Sequence, residues 1–100
     1  MVKHVVIWTL KDFADGRNKA ANAALLKEKL EAMRGCIPGL LNLEVGIDFS
    51  RTSASGDVVL YSEFASRQSL DAYQVHPKHE AVKAFVLGIR EGRWIVDYEV

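Results

Sequence analysis

An α+β fold of the ferredoxin-like type, a four-stranded antiparallel sheet with its helices on one face, is predicted by three features of the chain. The elements run strand, helix, strand, strand, helical segment, strand, which is the split βαβ order. The apolar residues change period from two in residues 2–10 to 3.6 in residues 19–34, and back to two in residues 41–49. One hundred residues, 49% of them hydrophobic, supply one small core and are too few for two, so residues 1–100 are read as a single domain.

Each element has its own signal. Residues 2–10 place Val2, His4, Val6, Trp8 and Leu10 on one face and Lys3, Val5, Ile7 and Thr9 on the other, a β-branched strand with both faces mostly covered. Residues 12–18 contain the Asp, Gly and Asn of a connection. The Ala-rich helix over residues 19–34 carries Leu26, Leu30 and Met33 at helical spacing, with Gly35 as its C-terminal cap and Pro38 beyond. Leu41 to Phe49 alternates again, and the polar stretch from Ser50 to Gly56 turns the chain into a third strand over residues 57–64. Ser66 is the expected N-cap of a short helix through Tyr73. Pro77 opens a second helix carrying Val82, Phe85, Val86 and Ile89, and residues 93–100 form the last strand.

The same pattern sets an expectation about assembly. With the helices on one side, the strand face holding Val6, Trp8 and Leu10 is expected to lie open in a monomer, and an apolar strip of that size marks an interface. Two copies packed face to face about a two-fold axis would close a barrel-like core, so a homodimer, a dimeric α/β barrel, is predicted.

Composition excludes several function classes. Thirteen basic and thirteen acidic residues cancel, which leaves no electrostatic footprint for nucleic acid or an anionic membrane surface. No apolar run approaches the roughly 20 residues of a membrane helix, and the N-terminus has no small-residue cleavage site, so a cytoplasmic protein is expected. Cys36 is alone, cannot form an internal disulfide, and reads as a small buried residue near a helix end. The chain has no G-x-G-x-x-G and no cysteine ligand pair, so no cofactor is assigned. His76 and His79 are three residues apart, but Pro77 opens the helix between them and no carboxylate stands at ligand spacing. No metal is assigned either, and His76 is read as a structural residue at the helix start.

Chemistry concentrates in residues 72–82, AYQVHPKHEAV. Pro77 at the first helical position puts His79 in the first turn, among free backbone N–H groups at the positive end of the dipole. That position disfavours protonation and leaves a neutral imidazole able to accept a proton. Tyr73 lies just upstream. Each residue also has a purely structural reading. His79 would brace the loop, Tyr73 would anchor the core, and His4 would be a satisfied histidine among Val6 and Trp8.

Nearly the whole chain resembles the stress-responsive dimeric α/β-barrel (Dabb) family. The resemblance is carried by VKHVVIWTLK, IPGLLNLEVGIDF, DVVLYSEFASRQSLDAYQVHPKHEAV and the VDYEV end. The most specific part is LYSEF followed at fixed distance by YQVHPxH. The related plant polyketide cyclases of this family close a linear polyketide by intramolecular aldol condensation without a cofactor. Similarity to them implies His79 as the base, Tyr73 as its partner, and His4 as a pocket residue. It also implies a ligand cavity walled by His4, Val6 and Trp8 of the first strand, Leu26 and Leu30 of the first helix, and Leu60 of the third strand. The residue types suit an aldol step, which needs a base for the proton α to a carbonyl and a donor for the developing oxyanion. The leucines stand where the cyclases carry aromatic residues, so substrate identity does not transfer.

Three functions follow as expectations. The first is a cofactor-independent lyase or cyclase acting on a carbonyl compound. The second is a non-catalytic, stress-associated protein that binds a small hydrophobic ligand in the same cavity. The third is a cofactor-free monooxygenase, in which an electron-rich substrate activates oxygen.

Overall fold

The computed structural model describes every residue from Met1 to Val100. Strand β1 (Val2–Leu10) leads into a small hairpin, β2 (Phe13–Ala14) and β3 (Arg17–Asn18), then helix α1 (Lys19–Glu31). Strands β4 (Leu40–Ile47) and β5 (Val58–Phe64) follow, then helices α2 (Arg67–Gln74) and α3 (Pro77–Ile89), and finally strand β6 (Arg90–Glu99). The four long strands form one sheet in the order β4-β5-β1-β6, antiparallel throughout, which is the ferredoxin-like topology.

Local chemistry accounts for most boundaries. The turn between β2 and β3 is Asp15-Gly16, both with positive φ (54° and 76°), as a two-residue type I′ hairpin requires. Sequence reading takes this stretch as a plain connection, because two-residue strands leave no periodic signal. Asn18 caps α1 by accepting from the Ala21 N–H at 2.9 Å. Helix α1 ends at Glu31, three residues before the expected boundary, and the chain passes through turns to Gly35. Ser66 caps α2 through the Ser69 N–H, and Pro77 occupies the first position of α3 behind the His76 cap.

The side of the sheet that packs on the helices corrects one expectation. Register pairs Val6 of β1 with Leu60 of β5 and Ile95 of β6, and pairs Trp8 with Val58 and Arg93. Val6, Trp8 and Leu10 lie on this helix-side face and are buried beneath Leu26, Leu30, Val82, Val86 and Ile89, so they are not the open strip. The open face is the other one. It carries Val5 and Ile7 of β1, Val59 and Tyr61 of β5, and Trp94, Val96 and Tyr98 of β6. Trp94 is 58% exposed and Val96 60% exposed, far from their usual burial. Alternation specifies two faces but not which one the helices cover, and here the more apolar face took the helices.

Cys36 corrects a second expectation. It is exposed in the turn after α1, because the helix stops short of it.

Candidate functional site

A cleft of about 280 Å³ opens between the helix-side face of the sheet and α3, toward the edge strand β6. Its floor is His4, Val6 and Trp8 of β1 with Leu60 of β5, and Leu30 of α1 closes one side. Gln74, His79, Val82, Lys83, Val86 and Leu87 form the helical wall, and Arg90 and Arg93 of β6 stand at the sheet edge. No helix covers β6 as α1 and α2 cover β1 and β5, and the cleft is open there.

His79 owes its position to the α3 cap. Pro77 fixes the helix start, His76 accepts from the Lys78 N–H at 3.1 Å, and His79 falls in the first turn with its ring turned back toward α2. There its Nδ1 meets the Gln74 carbonyl at 3.4 Å. A carbonyl oxygen only accepts, so the proton sits on Nδ1 and the lone pair on Nε2. The same carbonyl accepts from Lys83 Nζ at 2.7 Å. Burial depresses the His79 pKa to about 4, with the charge of Lys83 and the neighbouring His4 adding to the effect and the Gln74 hydrogen bond opposing it. At neutral pH the ring is an uncharged acceptor.

Tyr73 stacks on His79, ring centroids 4.0 Å apart, and meets His4 edge-on at 6.1 Å and Phe64 at 5.0 Å. It therefore links the two histidines, but from a layer behind the cleft, since its ring is fully buried and is not part of the cleft wall. Burial raises its phenol pKa well above the ordinary value, against a small opposing pull from Arg93. Its hydroxyl has no hydrogen-bond partner, and neither does the buried indole N–H of Trp8. Buried polar groups in this state are uncommon.

His4 is buried and bonded through Nδ1 to the Asp97 carboxylate across the β1–β6 ladder, where the two residues are direct register partners. Sequence reasoning missed Asp97. The signal was a carboxylate on the last strand at the register position opposite His4, which is readable only once strand order and register are known. Arg90 and Arg93 were missed for the same reason, and Gln74 and Lys83 because their place in the cleft depends on how α2 and α3 pack on the sheet.

Of the expected wall residues, His4, Val6, Trp8, Leu30 and Leu60 line the cleft, and His79 joins them. Leu26 does not. It is fully buried one turn earlier on α1, in the core between helix and sheet. Leu60 rather than Tyr61 faces the cleft, and Tyr61 turns to the open face, where it donates to Glu63 at 2.8 Å. No three His, Cys, Asp or Glu side chains converge as metal ligands, and no helix is long and apolar enough to cross a membrane.

Comparison with known proteins agrees with this architecture. A dimeric protein of unknown function with a ferredoxin-like fold from Bacteroides fragilis superposes with a TM-score of 0.87 at 31% identity, over 99% of this chain and 95% of that one. A Dabb family protein from Mesorhizobium loti gives 0.73 at 24% identity, over 99% and 95%. The hydroxynitrile lyase of Passiflora edulis gives 0.78 at 14% identity, over 99% and 92%, a likeness of fold alone. Among proteins of curated function, none matches the chain. The model of the stress responsive A/B barrel domain matches residues 2–100, and the chain belongs to that family.

Proposed function

We propose that the cleft binds a small, hydrophobic carbonyl compound, and that His79 acts in it as a general base without a cofactor, in a lyase or cyclase reaction. One observation carries the reading. An imidazole held neutral, with Nδ1 tied to the Gln74 carbonyl and Nε2 left with its lone pair, lines a cleft whose floor is Val6, Trp8 and Leu60. Proton abstraction α to a carbonyl needs an unprotonated acceptor, and this ring is unprotonated throughout the neutral range. Tyr73 holds the ring plane through the stack. Its protonated, unpartnered hydroxyl lies behind the cleft wall, so in this reading Tyr73 is a positioning residue for His79.

The protein works as a cytoplasmic homodimer in this reading. The open sheet face with Ile7, Trp94, Val96 and Tyr98 is the surface that a second copy covers, as the description of the Bacteroides relative as dimeric supports.

A second reading, ligand binding without catalysis, is favoured by the burial of Tyr73 behind His79, away from the cleft wall. A screen of β-polyketones and aldehydes decides between them. The base reading expects turnover in the wild type and a loss of roughly 10²-fold or more in His79→Ala, with the fold retained. Thermal stabilisation by a ligand, with no turnover in either protein, would leave only binding.

A further inference from the structure

The charges around the cleft are all of one sign. Lys83, Arg90 and Arg93 line it, and no carboxylate does. The Asp97 carboxylate, the nearest by register, is taken by His4. Lys83 is engaged with Glu80 at 3.2 Å and with the Gln74 carbonyl. Arg90 and Arg93 form no ion pair and no side-chain hydrogen bond, although most of the other basic side chains of the chain pair with an acid. Arg90 is half-buried at the point where α3 passes into β6, and Arg93 lies directly across the ladder from Trp8. The indole N–H of that same Trp8 is the buried donor without a partner.

The polar groups offered to a ligand are thus mostly donors, two of them cationic and uncommitted. The contrast with the larger groove beyond the Thr9 end of β1 is direct. That groove, about 670 Å³, sets Asp48, Asp57 and Glu91 against Lys19 and Arg51, and Lys19 pairs with Asp57. Charge in the His79 cleft is of one sign, whereas the other groove carries both, three acids against two bases.

We infer that the ligand of the His79 cleft is an anion, a carbonyl compound carrying a carboxylate, and that Arg90 and Arg93 are its specificity-determining residues. A guanidinium fork suits a carboxylate, and the half-buried position of Arg90 makes its contact stronger than it would be in open water, while Arg93 stands exposed at the sheet edge. With the carboxylate at the β6 edge, the apolar body of the ligand lies along Val6, Leu60 and Val86, and the carbonyl falls between the arginines and His79. An oxo acid meets this description. The inference rests on the carbonyl-ligand reading and adds to it the charge of the substrate.

The test uses the full-length protein with 2-oxo-4-phenylbutanoate and its methyl ester, a pair that differs in charge and little in shape. Affinities are measured by calorimetry for the wild type, Arg90→Gln, Arg93→Gln and the double variant. Arg67→Gln, which alters a cation paired with Glu99 outside the cleft, is the control. The expected result is an acid bound about tenfold or more tightly than the ester, with the preference lost in the double variant and kept in Arg67→Gln. An ester bound as well as the acid, no binding of the acid, or a preference that survives the double substitution would overturn the inference. In parallel, NMR in deuterated water follows exchange of the protons α to the ketone in the wild type and in His79→Ala. Exchange that depends on His79 with no preference for the acid would remove the arginine assignment and keep the base. Preference for the acid with no exchange would remove the base and keep the anion site.

Discussion

The ring of Tyr73 lies against that of His79, centroids 4.0 Å apart with 30° between the planes, and this stack puts the base candidate on a rigid aromatic backing. The backing extends through Phe64 and His4 to the Asp97 carboxylate, so one contiguous set of side chains runs from the last strand to the start of α3. Rotation of the His79 ring would break both the stack and the Gln74 hydrogen bond.

Stability should fall on acidification because of His79. Its folded pKa of about 4 lies below the unfolded value of 6.5, so between those values the unfolded chain binds a proton that the folded chain refuses. The contribution is fully present above about pH 6.5 and is lost as pH falls toward 4. Screening by solvent in the open cleft leaves about 1–2 kcal/mol of it. Urea unfolding from pH 7.5 to 4 should show this slope in the wild type and a shallower one in His79→Gln, and equal slopes would contradict the assignment.

The acid limb of any His79-dependent activity should follow the same pKa. A base that stays neutral to about pH 4 keeps kcat/KM level from pH 7 down to about 5, where an ordinary histidine would already have lost most of its activity. A pH–rate profile breaking near 6.5 would place the base elsewhere.

Tyr73→Phe separates the ring from the hydroxyl. The hydroxyl is buried without a partner, so its removal should leave stability unchanged or raise it by about 1 kcal/mol, whereas Tyr73→Ala should cost about 3–5 kcal/mol of packing. A loss of turnover in the stable Tyr73→Phe protein would assign the hydroxyl a part in the reaction. Retained turnover would leave Tyr73 as a positioning residue only.

Asp97→Ala leaves the buried His4 Nδ1 without its acceptor, and a destabilisation of about 1–3 kcal/mol is expected by denaturant unfolding at pH 7.5. Asp97→Asn, which can still accept at Oδ1, should recover part of it. An Asp97→Ala protein as stable as the wild type would show that the pair contributes nothing to the fold.

Charge on the open sheet face should disrupt assembly and leave the protomer intact. Trp94→Glu with Val96→Glu should give a folded monomer by light scattering at micromolar concentration, because both residues project from the helix-free face. Ile95→Glu, on the opposite face of the same strand, should remain dimeric. Trp8→Glu should unfold the chain outright, since Trp8 belongs to the core and not to the interface. A monomeric wild type would overturn the dimer.

The sequence by itself determined the order of the four long strands and the helices between them, and the His79 position, but not the small β2–β3 hairpin. These are local properties: periods of two and 3.6, a Ser cap, and a proline that allows only one helix start. The HPxH spacing alone puts His79 in the first turn of α3 whatever the rest of the chain does. Tertiary structure decided which sheet face meets the helices, and it buried Val6 and Trp8 where alternation alone had suggested an open strip. The two faces of β1 are both apolar, and the choice between them rests on the summed packing of α1 and α3 against four strands. Register, also non-local, brought Asp97 opposite His4 and Arg93 opposite Trp8. Leu26 and Leu30 look alike at helical spacing, yet one turn of α1 separates a residue sealed in the core from one that walls the cleft. Side chains meet across strands by position in the ladder, and the ladder is closed by long-range hydrogen bonds that no window of sequence contains.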